Sequence, residues 1–228
     1  MPTPVKKAHW PAKPLPRGRH TLSMRTVRSS QRARLITAML ARVAAQGYAK
    51  TTVSGVAAAA RVSPNVFYDF FADKDECFLA ACEEQAAELL GEITAAPAGA
   101  GWVERTRLGV AAYLRWWQER PELTRAYFLE MPMAGERAMA QRQRAYEPFA
   151  RMFAQLGALA RRERRDLPTL PAFVPGMLAI SITEFVAAEV RLGRTARLMP
   201  LKDDLTFYLV KLLADEASAR RALPGISN

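Results

Sequence analysis

The chain has 228 residues, half of them apolar, enough for one large domain or two small ones around a buried core. Two cysteines in the whole sequence exclude a disulfide framework. The net charge of +11 is confined to one end, which excludes a uniformly basic, polyanion-coating surface: residues 1–68 hold twelve Lys and Arg and no acid, the first acid is Asp69, and the remaining 160 residues carry 21 basic against 22 acidic side chains. A basic module on a neutral body points to one module that meets a polyanion.

Residues 1–27 mix five prolines with Lys and Arg and show no periodic apolar face. They read as a flexible basic arm, either an inert leader or an arm that enters a DNA groove. No apolar signal segment is present in it, which predicts a cytoplasmic protein. From Arg28 the pattern becomes helical: Leu35, Ile36, Met39, Leu40 and Val43 form a stripe, and Gly47 stands where a C-cap belongs. Thr52 is placed to cap a second helix whose Val53, Val56, Ala57 and Ala60 share a face. After the turn Arg61–Val62–Ser63, Ser63 and Pro64 open a third, very short helix carrying Phe67, Tyr68, Phe70 and Phe71. Three helices, the last two joined by a three-residue turn, give a helix-turn-helix pattern. The Ala-rich second helix lets the third cross it closely.

A helix of two turns is unstable alone. Phe67 and Phe71, four apart, are expected to bury and fix it, leaving Asn65 and Tyr68 toward a partner. An acid-free surface with short polar groups suits DNA phosphate and the major groove.

The remainder reads as helices. One runs from Asp73 to about Thr94, with Cys77 and Cys82 on it; five residues apart, they lie about 140° apart on a helix and are expected to be small buried hydrophobes. A second spans about Trp102 to Glu119 with Trp102, Thr106, Gly109, Val110, Tyr113, Leu114, Trp116 and Trp117 inward. A short helix to about Met131 follows. A long one spans about Gly135 to Arg165, with Met139 among its inward residues and Pro148 marking a kink or break. Two more span about Ala172 to Leu192 and Lys202 to Leu223. The expected fold is all-α, divided into the arm (1–27), a helix-turn-helix domain (28–73) and a ligand-binding and dimerisation domain (74–228).

The stretch "GYAKTTVSGVAAAARVSPNVFYDFFADKDECFLAA" resembles the DNA-binding region of tetracycline-repressor-like (TetR/AcrR) regulators, through Gly47, Tyr48, Thr51, Thr52, Ala57, Val62, Ser63, Tyr68, Phe71 and Lys74. The likeness covers residues 28–80 and is only architectural beyond them. It implies phosphate contacts from Thr52, Tyr68 and Lys74. The chain departs from the pattern at Asn65, Val66 and Phe70, where Gly, Thr and His or Tyr are common. Asn65, Ser63 and Arg61 are left to read or position, Asn65 suiting adenine and Val66 a thymine methyl.

No catalytic or metal-ligand constellation is visible: both histidines, His9 and His20, lie in the arm, and no Gly-rich phosphate loop appears. The chain is read as a non-enzyme without cofactor or metal. The aromatic and Met-rich middle, with Tyr113, Trp117, Phe128, Tyr146, Phe149 and Phe153, forms either an ordinary core or a pocket for a small lipophilic ligand. Glu184 either faces solvent with Ser181 and Arg191 or anchors a polar group of that ligand. The expectation is a ligand-responsive regulator, a repressor, that binds palindromic double-stranded DNA as a homodimer away from any membrane. Its interface is expected in the last two helices through Leu178, Ile182, Phe185, Val186, Leu205, Tyr208, Leu209, Leu212 and Leu213. The alternative is a DNA-binding protein whose body only dimerises or binds a protein partner.

Overall fold

The computed structural model describes residues 23–223, which are helical with no strand among them. Two compact units result. The first holds the described residues up to Glu84 together with Arg125–Met139; the second holds Gln85–Thr124 and the described chain from Ala140. The units therefore do not part at Asp73, where the linear reading divided the chain, and the first takes back a segment from the middle of the sequence.

In the first unit, α1 (Met24–Gln46) starts inside the stretch read as arm, because the Ser23 hydroxyl accepts the Thr26 N–H (3.1 Å) and caps it. Residues 1–22 of the arm lie outside the described residues. Gly47, at φ 85°, closes α1. Then follow α2 (Val53–Ala60), α3 (Pro64–Tyr68) and the start of α4 (Lys74–Thr94). Leu35, Met39 and Val43 of α1, Val56 and Ala57 of α2, and Phe67, Phe71 and Phe78 form the core between them.

The second unit contains α5 (Trp102–Glu119), the greater part of α7 (Glu136–Glu163), α8 (Val174–Arg191), α9 (Lys202–Leu213) and α10 (Glu216–Ala222). The buried set of α5 is the one its periodicity predicts, from Trp102 through Trp117. α7 runs as one helix through Pro148, and Met139, expected inward, is exposed while Ala138 and Arg142 are buried. The expected single helix from Lys202 to Leu223 is two. Asp215 accepts the Ser218 N–H (2.6 Å) as an N-cap and receives Arg164 Nη1 (2.9 Å), so the chain turns there and α10 begins. Between α6 (Pro121–Arg125) and α7 lie a π-helical segment, Ala126–Glu130, and a 3₁₀ turn, Met131–Ala134, where a plain helix was expected. No described helix is long and apolar enough to cross a membrane.

Cys77 and Cys82 are buried and unpaired, and burial pushes both thiols up to about 12. The thiolate is the nucleophile, so a raised pKa makes both inert in the folded state. A disulfide-exchanging dye at mildly alkaline pH should label neither thiol until denaturant is added. Rapid labelling of the folded protein would show that this core opens readily.

Candidate functional site

The N-terminus of α2 and that of α3 are each set by a side chain that the sequence supplies locally. Thr52 Oγ1 accepts the Gly55 N–H (3.2 Å) and Ser63 Oγ the Val66 N–H (3.4 Å). Between the helices Arg61 adopts a left-handed conformation (φ 55°, ψ 47°), and the Arg61 and Val62 N–H groups return to Ala58 and Ala57 carbonyls. Arg34 Nη1, donating to the Ala60 carbonyl (3.0 Å), places a cation at the C-terminus of α2, where the helix dipole favours it. Phe67 is fully buried and Phe71 nearly so, their ring centroids 5.6 Å apart, while Tyr68 is 58% exposed. Of the residues expected to meet DNA, Thr52, Arg61, Ser63, Asn65 and Tyr68 are exposed and Val66 is half-buried. The buried Arg42 Nε has no hydrogen-bond partner among the described residues, and the guanidinium lies where a Cβ on Gly55 would come within 3.0 Å of it.

Lys74 is more constrained than the resemblance implied. Its ammonium donates to the Tyr48 carbonyl (3.1 Å) and lies 4.1 Å from the Tyr48 ring centroid. The Tyr48 hydroxyl donates to Asp75, and the Tyr48 N–H to Glu130 Oε2 (2.9 Å). Burial first, then Asp75, raises the Tyr48 phenol far above its ordinary value, so it remains a donor. Arg137 pairs with Asp73 (2.9 Å). Asp73 also accepts the Glu76 N–H (2.7 Å), which, more than Arg137, holds its carboxyl below the usual range. Residues 125–139 thus supply two charged groups, Glu130 and Arg137, that fasten the start of α4 and the loop after α1.

The second unit holds a half-open cavity of about 550 Å³. Its walls are apolar, with Phe149, Met152, Phe153 and Leu156 of α7 facing Ile182 of α8 and Leu205 of α9. Gly109 of α5 also lines it, at a point where a Cβ would come within 3.2 Å of Ile93, so α5 approaches Ile93 closely there. Of the residues expected to hold a ligand, Tyr113, Phe149 and Phe153 line it. Trp117, Phe128, Tyr146 and Glu184 do not: Trp117 packs edge-on against Tyr113, and Phe128 is buried in the first unit. The aromatic residues of the middle helices thus divide between solid core and cavity wall. The Tyr113 hydroxyl borders it without a well-formed hydrogen bond, and burial raises its pKa well above the ordinary value, so it stays neutral. Arg105 and Glu163 are the charged residues of the lining; Glu163 Oε1 accepts the Trp102 N–H (3.0 Å) at the N-terminus of α5.

Glu184 takes a third course, neither free in solvent nor in the cavity. Its carboxylate accepts from Arg142, whose side chain is only 6% exposed, and from the Tyr146 hydroxyl (3.4 Å), and lies 3.8 Å from Arg191. α7 and α8 are therefore pinned by a charged pair.

α8 and α9 leave apolar side chains in solvent: Met177, Ile180, Phe185, Tyr208 and Leu212 are exposed, and the Tyr208 hydroxyl donates to Ser181 (3.1 Å). Six of the nine residues expected at an interface, Leu178, Ile182, Val186, Leu205, Leu209 and Leu213, are buried in the chain's own core instead. Only Phe185, Tyr208 and Leu212 of that set face outward.

Residues 35–81 match the family model of the bacterial regulatory proteins of the tetR family. No functionally curated protein matches the chain. Among solved structures, the fatty acid degradation regulator FadR from Bacillus halodurans is 17% identical, with 78% of this chain and 94% of that chain covered at a TM-score of 0.69. FadR from Bacillus subtilis in complex with stearoyl-CoA is 17% identical, with 78% and 96% covered and a TM-score of 0.67. Salmonella enterica GusR is 17% identical, with 85% and 99% covered and a TM-score of 0.66. At these identities the structures establish the shared all-helical fold, while the matched window is the segment that carries Thr52, Ser63, Tyr68 and Lys74. Residues 35–81 are thus similar to the N-terminal segment of the bacterial tetR-family regulators, and the described chain shares the all-helical fold of these structures.

Proposed function

We propose that the protein is a homodimeric repressor that binds a palindromic operator through α3 of each protomer and is released when a small lipophilic molecule enters the cavity of the second unit. The observation that carries this reading is the half-open, mainly apolar cavity, of a volume ordinary for a drug-sized ligand, in a chain whose first unit carries the tetR-type DNA-binding segment. The stearoyl-CoA bound by the Bacillus subtilis FadR supports a ligand with an apolar body. α4 gives the two functions one element: it begins with Lys74 and ends with Ile93 and Thr94 in the cavity wall. The exposed row on α8 and α9 supports dimerisation through that face, since a monomer seldom leaves so many large apolar groups together in water. Thr52, Tyr68 and Lys74 then hold phosphates, and Asn65, Val66, Ser63 and Arg61 read or position.

A ligand shifts the equilibrium only by its differential affinity for the two states, and a near-complete switch needs a preference of about 5 kcal/mol. Coupling is reciprocal. The test is a set of lipophilic compounds, from fatty acids to aromatic hydrocarbons, screened by thermal shift. Any that binds is then titrated with and without a duplex selected by the protein, with mass by light scattering. The expected result is a dimer in which ligand and DNA weaken each other by the same factor, and in which Phe153→Ala weakens the ligand but not the DNA. A monomer at micromolar concentration ends the dimer reading. A ligand indifferent to DNA reduces the second unit to a dimerisation or protein-binding body.

A further inference from the structure

The second turn of α1 places Arg28 against the far end of α3. Its Cζ lies 4.8 Å from the centroid of the Phe70 ring, and Nη2 donates to the Asp69 carbonyl (3.3 Å). Arg28 is exposed and, among the described residues, forms no ion pair. Arg32, one turn further along the same helix, is different: it pairs with Glu84 and faces the Phe71 ring at 5.6 Å. Of two neighbouring arginines, then, one is neutralised within the fold and the other is not.

A guanidinium has five N–H donors in one plane. Contact with the ring face and the bond to the Asp69 carbonyl together restrict how the guanidinium can turn. Arg28 uses one donor, so the remaining donors form a pre-oriented edge beside the last residues of α3. Tyr68, the residue before Asp69, is the most exposed aromatic of the recognition helix. Asp69 is the first acid of the chain, and the positive charge of Arg28 at its backbone offsets the repulsion an approaching polyanion would feel there.

We infer that Arg28, held by the face of Phe70, is a further phosphate-binding residue of the DNA interface, supplied by α1 rather than by the helix-turn-helix itself. The inference rests on the reading that α3 meets DNA. Phe70 is on this account a positioning residue: it touches no DNA and aims the guanidinium. Because planar, bidentate contact to phosphate is at stake, lysine is a poor replacement.

The full-length protein and three variants, Arg28→Ala, Arg28→Lys and Phe70→Leu, are titrated with a mixed-sequence duplex and with a selected operator over a range of KCl concentrations. Melting is followed in parallel. Losing one phosphate contact lowers the slope of log affinity against log salt by about 0.9, so a two-fold dimer of Arg28→Ala should lose about two. The loss should be the same on both duplexes, because a phosphate contact carries no sequence preference. Arg28→Lys should keep most of the slope but bind several-fold more weakly than the parent. Phe70→Leu, which keeps an apolar side chain but no ring face, should fall between the parent and Arg28→Ala, and add nothing when combined with it. The inference is overturned if Arg28→Ala leaves slope and affinity unchanged. It is equally overturned if that variant lowers the melting temperature with the slope intact, which would make Arg28 a structural cap of α3. A parent protein with no salt-dependent affinity for either duplex would remove the DNA reading and this inference with it.

Discussion

Phe67→Ala should abolish DNA binding and destabilise the first unit by about 3–5 kcal/mol, the range for removing a fully buried aromatic side chain. The reason is specific to α3. With five residues it is far below the length at which a helix holds itself together. What keeps it in place is the Ser63 cap, Pro64 in its first turn and the burial of Phe67 and Phe71. Tyr68→Ala is the control, one residue away on the same helix but mostly in water, where a substitution changes stability by no more than about 0.5 kcal/mol. Amide hydrogen exchange across residues 63–71 separates the two: protection should vanish in Phe67→Ala and persist in Tyr68→Ala, although both bind DNA poorly. Protection retained in Phe67→Ala would mean that α3 is held by something other than its core contact.

The second large effect concerns the charged pair of α7 and α8, and it is asymmetric. Glu184→Ala should cost about 2–3 kcal/mol, because the Arg142 guanidinium stays buried with its carboxylate gone. Arg142→Met, which fills the same space without a charge, should lie within about 1 kcal/mol of the parent. Glu184 tolerates that loss because its side chain is 44% exposed and Arg191 remains nearby. Urea unfolding of the two variants measures the difference, and equal costs would refute the argument from burial.

What the sequence disclosed was whatever is decided within a turn or two of chain. Thr52 and Ser63 announce their caps, Gly47 its C-cap, and the 3.6-residue spacing of Trp102 to Trp117 their common burial. Arg61 was hidden, since nothing in its identity signals a left-handed turn where glycine would sit at no steric cost. The break at Asp215 was visible in principle, as an acid placed to cap, but the apolar pattern running past it argued for one helix. The cavity was legible only in part: Tyr113, Phe149 and Phe153 line it, while Trp117, Phe128 and Tyr146 do not. Gly109 lets α5 approach Ile93 closely, and Leu156, Ile182 and Leu205 face the space. Glu184 was undecidable for another reason: its partner Arg142 is 42 residues away, and no local spacing relates them.

The return of Arg125–Met139 into the first unit has a consequence for synthesis. A ribosome making this chain releases α1, α2 and α3 early, yet the Tyr48 N–H has no Glu130 to meet until more than eighty further residues have emerged. The DNA-reading head is therefore finished late and from two directions. Until then the growing chain carries a basic, partly assembled helix-turn-helix whose loop after α1 lacks its final anchor. A fragment ending at Glu84 would be frozen in that state. The loop after α1 thus gains its Glu130 anchor only while the second unit is being made, so a nascent chain differs from the finished protein beside the helix-turn-helix.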